Sequence, residues 1–294
     1  MDNQYFELEK RANELRQTTL EFLVKAGTGH VTSCMSCAEI FSTLFYGDGI
    51  MRLNPKNPDW TGRDMFVLSK GQASPIYYAV LADLGFIPVS ILEKFVLGDD
   101  GKGKNAPIGV HLQCTVPGVE FTTGSLGHGL GYGNGIADAA KIDGTDRMTY
   151  VLLGDGELYE GSNWPNLMYA THNKLDNLVA IVDRNGMDTN GFTEQILPLD
   201  PLDRKFEAFG WDVVRLNGHS VKELYPVLSN ARNRNNGKPL MVIAYTDKGH
   251  GIKSVIGRTD FHGEAPSGEQ AVRFKKDLDE FCAEHIKNGG YNGS

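Results

Sequence analysis

The amino-acid sequence predicts an α/β fold with a doubly wound, mainly parallel sheet of five or six strands and helices on both faces. The candidate strands are continuous apolar runs rather than alternating ones, as expected for strands buried on both faces of a parallel sheet. These short runs alternate along the chain with longer segments of helical apolar spacing. The candidate strands are DMFVLS (64–69), MTYVLL (148–153), NLVAIVD (177–183), DVVRL (212–216) and PLMVIAYT (239–246).

The helices are predicted from apolar residues spaced three or four positions apart. In the first helix, Gly27 and Gly29 are expected to end such a pattern. Before the last strand, Ser220 and Glu223 have the spacing of a capping box, which predicts a helix beginning there. A C-terminal helix covers EQAVRFKKDLDEFCAEHIK. The apolar face of the first helix consists of Tyr5, Leu8, Ala12, Leu15 and Phe22.

The chain has no linker long enough to divide it, so residues 1–288 are predicted to form one domain. Residues 289–294 are expected to be a flexible tail. The 29 Lys and Arg against 37 Asp and Glu give a formal net charge of −8. Without a basic block, a signal peptide or an apolar run of about 20 residues, nucleic-acid and membrane partners are not expected. The sequence therefore predicts a cytoplasmic protein.

Two local patterns each leave alternatives open. Cys34 and Cys37 form a C-x-x-C, which could be a redox pair or two small apolar residues opening a helix. The segment GSLGHGLGYGNGIADAAK has Gly at every second position from 127 to 135. Since glycine disfavours helix, the segment indicates close approach to a ligand phosphate, close approach to a helix across a subunit interface, or a flexible loop.

Polar residues follow two neighbouring candidate strands where each strand ends. Asp155 lies between two glycines after MTYVLL, and Asn185 lies 30 residues later after NLVAIVD. Ligands gather at the carboxyl ends of strands in open α/β sheets. Mg²⁺ prefers hard oxygen ligands, which Asp155, Asn185 and the carbonyl of Met187 could supply. Gly-Asp-Gly alone is also common in turns. Its position after a buried strand favours a metal site, where a cation would offset the negative charges of Asp155, Glu157 and Glu160.

Several segments resemble transketolases, which use thiamine diphosphate, and in particular the N-terminal subunit of split, two-chain transketolases. The resemblance covers nearly the whole chain in family order and implies the thiamine diphosphate-binding fold. It also implies transfer of a two-carbon ketol unit from a ketose, phosphorylated or otherwise anionic, to an aldose. The segments are AGTGHVTSCMS, RDMFVLSKGQA, HLQCTVPGVEFTTGSLGHGL, GDGELYEG, HNKLDNLVAIVDRNGM, AFGWDVVRLNGH and DKGHGIKSV…DFHGEAPS.

The resemblance implies a role for each matching residue. The ligands of Mg²⁺, or of Ca²⁺ or Mn²⁺, are Asp155, Asn185 and Met187 through its carbonyl. The residues expected to bind thiamine diphosphate are Gln72, Gly124, Leu126, Gly156, Glu157, Glu160 and Asn185, with Glu160 joining the paired domains near the aminopyrimidine. The catalytic residues, which surround the reacting carbons and hydroxyls of the substrate, are His30, His111 and His262. Neutral imidazoles near pH 7 suit the proton transfers of ketol transfer.

The sequence departs from the family at Gln72, where transketolases normally have a histidine of the cluster between diphosphate and substrate. Glutamine forms hydrogen bonds but carries no proton. Either proton transfer runs through the other histidines, or the substrate differs at this point, or the chain is inactive.

The chain also has no second set of strands after its C-terminal helix, where single-chain transketolases continue with a pyrimidine-binding domain. We therefore expect a separately encoded C-terminal subunit, with two copies of each chain, and no ketol transfer by this chain alone. Two other functions remain open: the alpha subunit of a 2-oxo acid dehydrogenase decarboxylase, and a non-catalytic protein that keeps the thiamine diphosphate pocket. AGTGH and FHG favour transketolase over the first, and Gln72 is the feature that keeps the second open.

Overall fold

The structure, a computed structural model, describes residues 2–261 and 263–290. Within these residues, five strands form one parallel sheet in the order β1-β2-β3-β5-β4, which confirms the predicted fold class. Each strand overlaps one of the five predicted runs. The strands are β1 (Met65–Leu68), β2 (Thr149–Gly154), β3 (Leu178–Arg184), β4 (Asp212–Asn217) and β5 (Leu240–Tyr245).

Helices connect these strands and cover the sheet. The first helix ends as predicted, because Gly27 adopts φ +67° and donates its N–H to Leu23 O at 2.9 Å. The α-helices of the described residues are α1 (Asp2–Ala26), α2 (Val31–Met35), α3 (Ala38–Tyr46), α4 (Ser74–Asp83), α5 (Gly129–Ile142), α6 (Asn163–His172), α7 (Thr193–Ile196), α8 (Leu202–Ala208), α9 (Val221–Ser229) and α10 (Gly268–Lys287). Shorter 3-10 helices cover Gly71–Ala73, Val89–Lys94, Gly156–Tyr159 and Ala231–Asn233.

The sheet is buried on both faces because successive strand residues enter different cores. Tyr150 and Leu152 of β2 pack in a core with α1, α3 and α4. Val151 and Leu153 of the same strand pack in a second core with α5, α6 and α8. This explains why the strands are continuous apolar runs in the sequence.

The parallel register brings the carboxyl ends of three strands level. Gly154 of β2 pairs with Asp183 of β3, and Arg184 of β3 pairs with Tyr245 of β5. The segments that follow β2, β3 and β5 therefore leave the sheet at one edge, which is where the sequence predicted the site.

From Gly129 onward the glycine-rich segment forms the helix α5, so the flexible-loop alternative is wrong for this part of the segment. A Cβ on Gly133 would lie 2.3 Å from Val151 Cγ2, and one on Gly129 would lie 2.3 Å from the Ser69 side chain. The glycines at these two positions let α5 approach the sheet of its own chain. Gly135 faces open space, so packing within this chain does not explain it.

The predicted capping box at α9 is wrong in its contacts, although the helix begins after Ser220 as expected. Ser220 makes no capping bond with its side chain. Glu223 instead accepts the N–H of Asn217 at 2.9 Å. The Glu223 carboxylate therefore bonds the end of β4 rather than the N–H of Ser220. This contact joins the first turn of α9 to β4.

Cys34 and Cys37 are fully buried, and burial raises the pKa of both thiols far above the usual range. Buried thiols that resist ionisation are poor redox groups, so the structure favours the packing interpretation. None of the described helices combines the length and the apolar character needed to cross a bilayer. Residues 291–294 of the expected tail lie outside the described residues, and Gly289 and Gly290 donate their N–H groups to the last turn of α10.

A buried ion pair, Lys70–Asp183, lies beneath the edge of the sheet where the three strands end. Asp183 also accepts hydrogen bonds from Ser36 Oγ at 2.6 Å and from the Thr246 hydroxyl, while Lys70 Nζ donates to Ser33 O at 3.0 Å. Burial opposes both charges most strongly, yet each charge supports the other. The pKa of Asp183 is lowered and that of Lys70 is raised. The pair joins the ends of β1, β3 and β5 to the α2–α3 turn.

We expect Gly133→Ala to lower the free energy of unfolding by about 1–3 kcal/mol, because its methyl group overlaps Val151. Gly135→Ala is the matched control on the same helix and should raise stability by about 0.4–1 kcal/mol, since the methyl meets nothing. Urea denaturation of both variants measures the difference. Equal effects of the two substitutions would contradict the close packing of α5 on β2.

We expect Lys70→Met to lower the free energy of unfolding by about 3–5 kcal/mol at pH 7, because Asp183 stays buried without its counter-charge. The control is Lys141→Met, which breaks a more exposed pair with Asp176 at 2.6 Å and should cost under about 1 kcal/mol. Denaturation curves for the two variants are compared. If Lys70→Met lowers the free energy of unfolding no more than the control does, the Lys70–Asp183 pair does not stabilise the fold as expected.

Candidate functional site

A cavity of about 250 Å³ opens at the carboxyl ends of β2 and β3. A larger groove of about 640 Å³ lies between α1 and α10, away from the strand ends, so we assign the site to the smaller cavity on its chemistry. The predicted site residues that line the cavity are Gln72, Leu126, Asp155, Gly156, Glu157, Glu160, Asn185 and Met187. The other lining residues are Ser33, Lys70, Gly154, Tyr159, Asp188, Thr189 and Lys248.

Asp155 is fully buried at the tip of β2. Its Oδ2 accepts hydrogen bonds from the Gly186 N–H at 2.6 Å and from Arg184 Nη1 at 3.0 Å. Its Oδ1 accepts the Gly156 N–H at 2.8 Å. Burial, and then the negative charge of Asp183, raise the pKa of Asp155 to about 6, against the opposing effect of Arg184. A carboxylate in this position gains stability from a further nearby cation.

The two glutamates that follow Asp155, Glu157 and Glu160, lie in different environments. Glu157 is buried and accepts hydrogen bonds from the Ser69 hydroxyl, the Gly127 N–H at 2.8 Å and the Gly154 N–H at 3.1 Å. Its carboxylate therefore holds the start of α5 against the end of β2 while its side chain borders the cavity. Glu160 is exposed at the rim of the cavity, where it is accessible to another molecule.

The three residues predicted to bind a metal all line this cavity. Asn185 and Met187 line it beside Asp155. A Cβ on Gly156 would lie 2.8 Å from Asp188 Cβ and 4.0 Å from Met187 O, so glycine allows these two loops to meet. One carboxylate, one amide and one carbonyl oxygen form a hard donor set that suits Mg²⁺, which takes its remaining ligands from phosphate and water. The residues present therefore fit a magnesium diphosphate.

Lys248, which follows β5, is a site residue that the sequence reasoning missed. It lines the cavity, is buried, and donates from Nζ to Asp188 O at 3.4 Å. Burial is the largest effect on its pKa, which falls to about 8, so the ammonium is charged at pH 7. Its signal in the sequence was the position of DKGHG directly after a predicted strand, the same placement that identified Asp155 and Asn185.

Two of the three predicted catalytic histidines come together beside the cavity. The ring centroids of His30 and His111 lie 6.0 Å apart. A Cβ on Gly124 would lie 2.7 Å from the His111 ring, so Gly124 packs directly against it. Burial, then the charges of His111 and Lys248, lower the pKa of His30 to about 4, so its imidazole is neutral at pH 7. His262 lies outside the described residues, and its neighbour Gly263 lies against the His30 ring.

A second group of possible metal ligands, Glu39, His219 and His250, is buried elsewhere, with the ligand atoms within 4.8 Å of one another. Arg16 Nη1 and Nη2 each donate to a Glu39 oxygen at 2.6 Å. A guanidinium so close to the carboxylate disfavours a metal cation, and we assign this group a structural role.

Comparison with known proteins identifies the family of this chain. Residues 8–282 match the family model described as the transketolase, thiamine diphosphate binding domain. The chain is 37% identical over 262 residues to the 6-deoxy-6-sulfo-D-fructose transketolase subunit SqwG of Clostridium sp. (strain MSTE9), covering 89% of this chain and 92% of that one. It is 39% identical over 267 residues to an apulose-4-phosphate transketolase subunit of Actinobacillus succinogenes, covering 90% and 94%.

The structure is also similar to part of a longer transketolase chain. It matches transketolase from Leishmania mexicana with a TM-score of 0.82 and 29% identity, covering 96% of this chain and 45% of that one. The predicted fold and the predicted membership among transketolase subunits are thus confirmed. The chain belongs to the transketolase thiamine diphosphate-binding domain family and corresponds over its length to the N-terminal subunit of split transketolases.

Proposed function

We propose that this chain holds the metal and the diphosphate of thiamine diphosphate in a two-chain transketolase. Asp155, Asn185 and the Met187 carbonyl would bind Mg²⁺, or Ca²⁺ or Mn²⁺ in its place. Gly156 would lie against the diphosphate, and Lys248 would supply positive charge to it. The observation that carries this proposal is that Asp155, Asn185, Met187 and Lys248 line a single cavity at adjacent strand ends.

When bound, the cofactor supplies the electron sink for breaking and forming the carbon–carbon bond. This chain's own groups would orient the substrate and move protons on its hydroxyls. His30 has a neutral imidazole at pH 7, which can form hydrogen bonds with a substrate hydroxyl, and its neighbour His111 lies 6.0 Å away between ring centroids. Gln72 would hold a substrate or cofactor oxygen by hydrogen bonds without transferring a proton.

The active assembly would contain a second, separately encoded subunit that binds the aminopyrimidine, in two copies of each chain. The relatives named as transketolase subunits match this chain over nearly their whole length, whereas it spans 40% of human transketolase. Glu160, exposed at the rim of the cavity, would face that partner. A cytoplasmic location stays a prediction of the sequence.

The donor would be an anionic ketose. Two relatives are named for sugars that carry a sulfonate or a phosphate group, 6-deoxy-6-sulfo-D-fructose and apulose 4-phosphate. Gln72 at the cavity also leaves open a non-catalytic protein that binds thiamine diphosphate, and an activity assay of the assembled complex separates the two functions.

We expect the complex with the partner subunit to transfer a ketol unit from a ketose phosphate or ketose sulfonate to an aldose, whereas the chain alone transfers none. Asn185→Ala should weaken Mg²⁺–thiamine diphosphate binding at least about tenfold, because one metal ligand is lost. Isothermal calorimetry and product analysis measure these results. Asn190→Ala, at an exposed position where the backbone N–H donates to Asp188 Oδ1 at 2.6 Å, is the control and should bind as wild type.

Unchanged cofactor binding in both Asp155→Ala and Asn185→Ala would overturn the metal site. Turnover by the isolated chain would overturn the two-chain arrangement. Cofactor binding without turnover in the assembled complex would favour the non-catalytic function.

We expect cofactor affinity to fall about fivefold between pH 8 and pH 9, because the Lys248 ammonium loses its charge above a pKa of about 8. The attraction to diphosphate is present below that pH and is lost as the pH rises through it. Lys248→Met should bind more weakly at pH 7 and lose this pH dependence, whereas Lys253→Met, at an exposed position, should keep it. Calorimetric titrations from pH 6.5 to 9.5 measure the cofactor affinity. If the affinity of Lys248→Met falls with pH as steeply as that of wild type, Lys248 is not the group responsible for the pH dependence.

A further inference from the structure

Arg184, at the end of β3, is surrounded by carboxylates although it is itself buried. Its Nη1 donates to Asp155 Oδ2 at 3.0 Å. Its Nη2 lies 2.6 Å from Glu194 Oε1 and 3.6 Å from Asp200 Oδ2. One guanidinium therefore lies close to three carboxylates, of which only that of Asp155 is fully buried.

Arg184 is also fixed in place by the segment 193–200. Its Nη1 donates to Thr193 Oγ1 at 2.6 Å. The Tyr159 hydroxyl lies 2.9 Å from both Thr193 O and Leu197 O, so the segment packs against the turn that follows Asp155. These contacts hold the guanidinium independently of Asp155, and it does not need to leave when a metal binds.

The two oxygens of Asp155 differ in what they can still accept. Oδ2 already has two donors, Arg184 Nη1 and the Gly186 N–H. Oδ1 has one, the Gly156 N–H. A carboxylate oxygen has two lone-pair positions. Oδ1 therefore has one lone-pair position left for a metal while Arg184 stays bound to Oδ2.

We propose that Arg184 is a positioning residue and a resident counter-cation of the metal site, which stabilises Asp155 before the metal binds and weakens metal binding by its like charge. This proposal rests on the proposed function for the identity of the site. The stabilising half follows from the buried pair, since a buried carboxylate without a partner is strongly destabilising. The weakening half follows because a second cation at the same carboxylate meets the charge already present.

The test is Arg184→Met, studied in the full-length chain and in the complex with the partner subunit. In EDTA, we expect the melting temperature of the chain to fall by about 5–15 °C. In the complex at saturating thiamine diphosphate, we expect the Mn²⁺ dissociation constant, measured from free Mn²⁺ by electron paramagnetic resonance, to decrease about tenfold. Lower stability together with tighter metal binding is the signature of a counter-cation.

Two variants serve as controls. Arg184→Lys keeps the charge but loses the fork-shaped contacts, so its Mn²⁺ affinity should equal that of wild type while its stability falls in part. Arg63→Met breaks a comparable ion pair with Glu120, whose two side chains are 13% and 11% exposed, at a separate small cavity. It should lower stability without changing Mn²⁺ affinity.

The proposal is overturned if Arg184→Met leaves stability in EDTA unchanged, or if it weakens Mn²⁺ binding, which is the result for a purely structural role. If Arg184→Met folds only with Mn²⁺ and thiamine diphosphate present, the stabilising half is supported. If it does not fold at all, Arg184→Lys decides: failure of this charge-retaining variant to fold, or a changed Mn²⁺ affinity, overturns the proposal. A wild-type complex that binds no Mn²⁺–thiamine diphosphate overturns the proposed function instead, and the stability measurement in EDTA still tests the ion pair.

Discussion

Buried carboxylates at the ends of the strands are the constraint on which the rest of this structure depends. Asp155 directly follows β2 and Asp183 lies in β3, both without solvent exposure. Each has a cation beside it, Arg184 for the first and Lys70 for the second. Negative charge is stable in the interior only when it is paired and hydrogen-bonded. The segments at the ends of β1, β2 and β3 are therefore held together, and the cavity opens at these strand ends.

The same constraint explains how a rigid site is assembled from distant segments. Glu157 joins the start of α5 to the end of β2 through three hydrogen bonds, and Arg184 joins β3 to the segment 193–200. Gly129 and Gly133 allow α5 to lie close to the sheet. The cavity walls thus come from elements that pack on one another, which is the preorganisation that cofactor positioning requires.

In this site, burial is the main cause that lowers the pKa values of His30 and Lys248. The pKa of His30 falls to about 4 and that of Lys248 to about 8, with burial as the largest cause in both. The result is a neutral imidazole next to a charged ammonium at pH 7. A neutral imidazole that forms hydrogen bonds with substrate hydroxyls and a cation that attracts diphosphate are the two groups that the proposed function requires on this side of the cavity.

The sequence by itself determined the mainly parallel sheet, the approximate positions of its five strands and the edge of the sheet where the candidate ligand residues lie. This was possible because apolar runs locate buried strands, and parallel strands deliver their carboxyl ends to one place. Only the tertiary structure decided which cation balances each carboxylate. Arg184 meets Asp155 across 29 residues, and Lys70 meets Asp183 across 113. Such pairs depend on strand register and packing between distant segments, and no local pattern in the sequence records them.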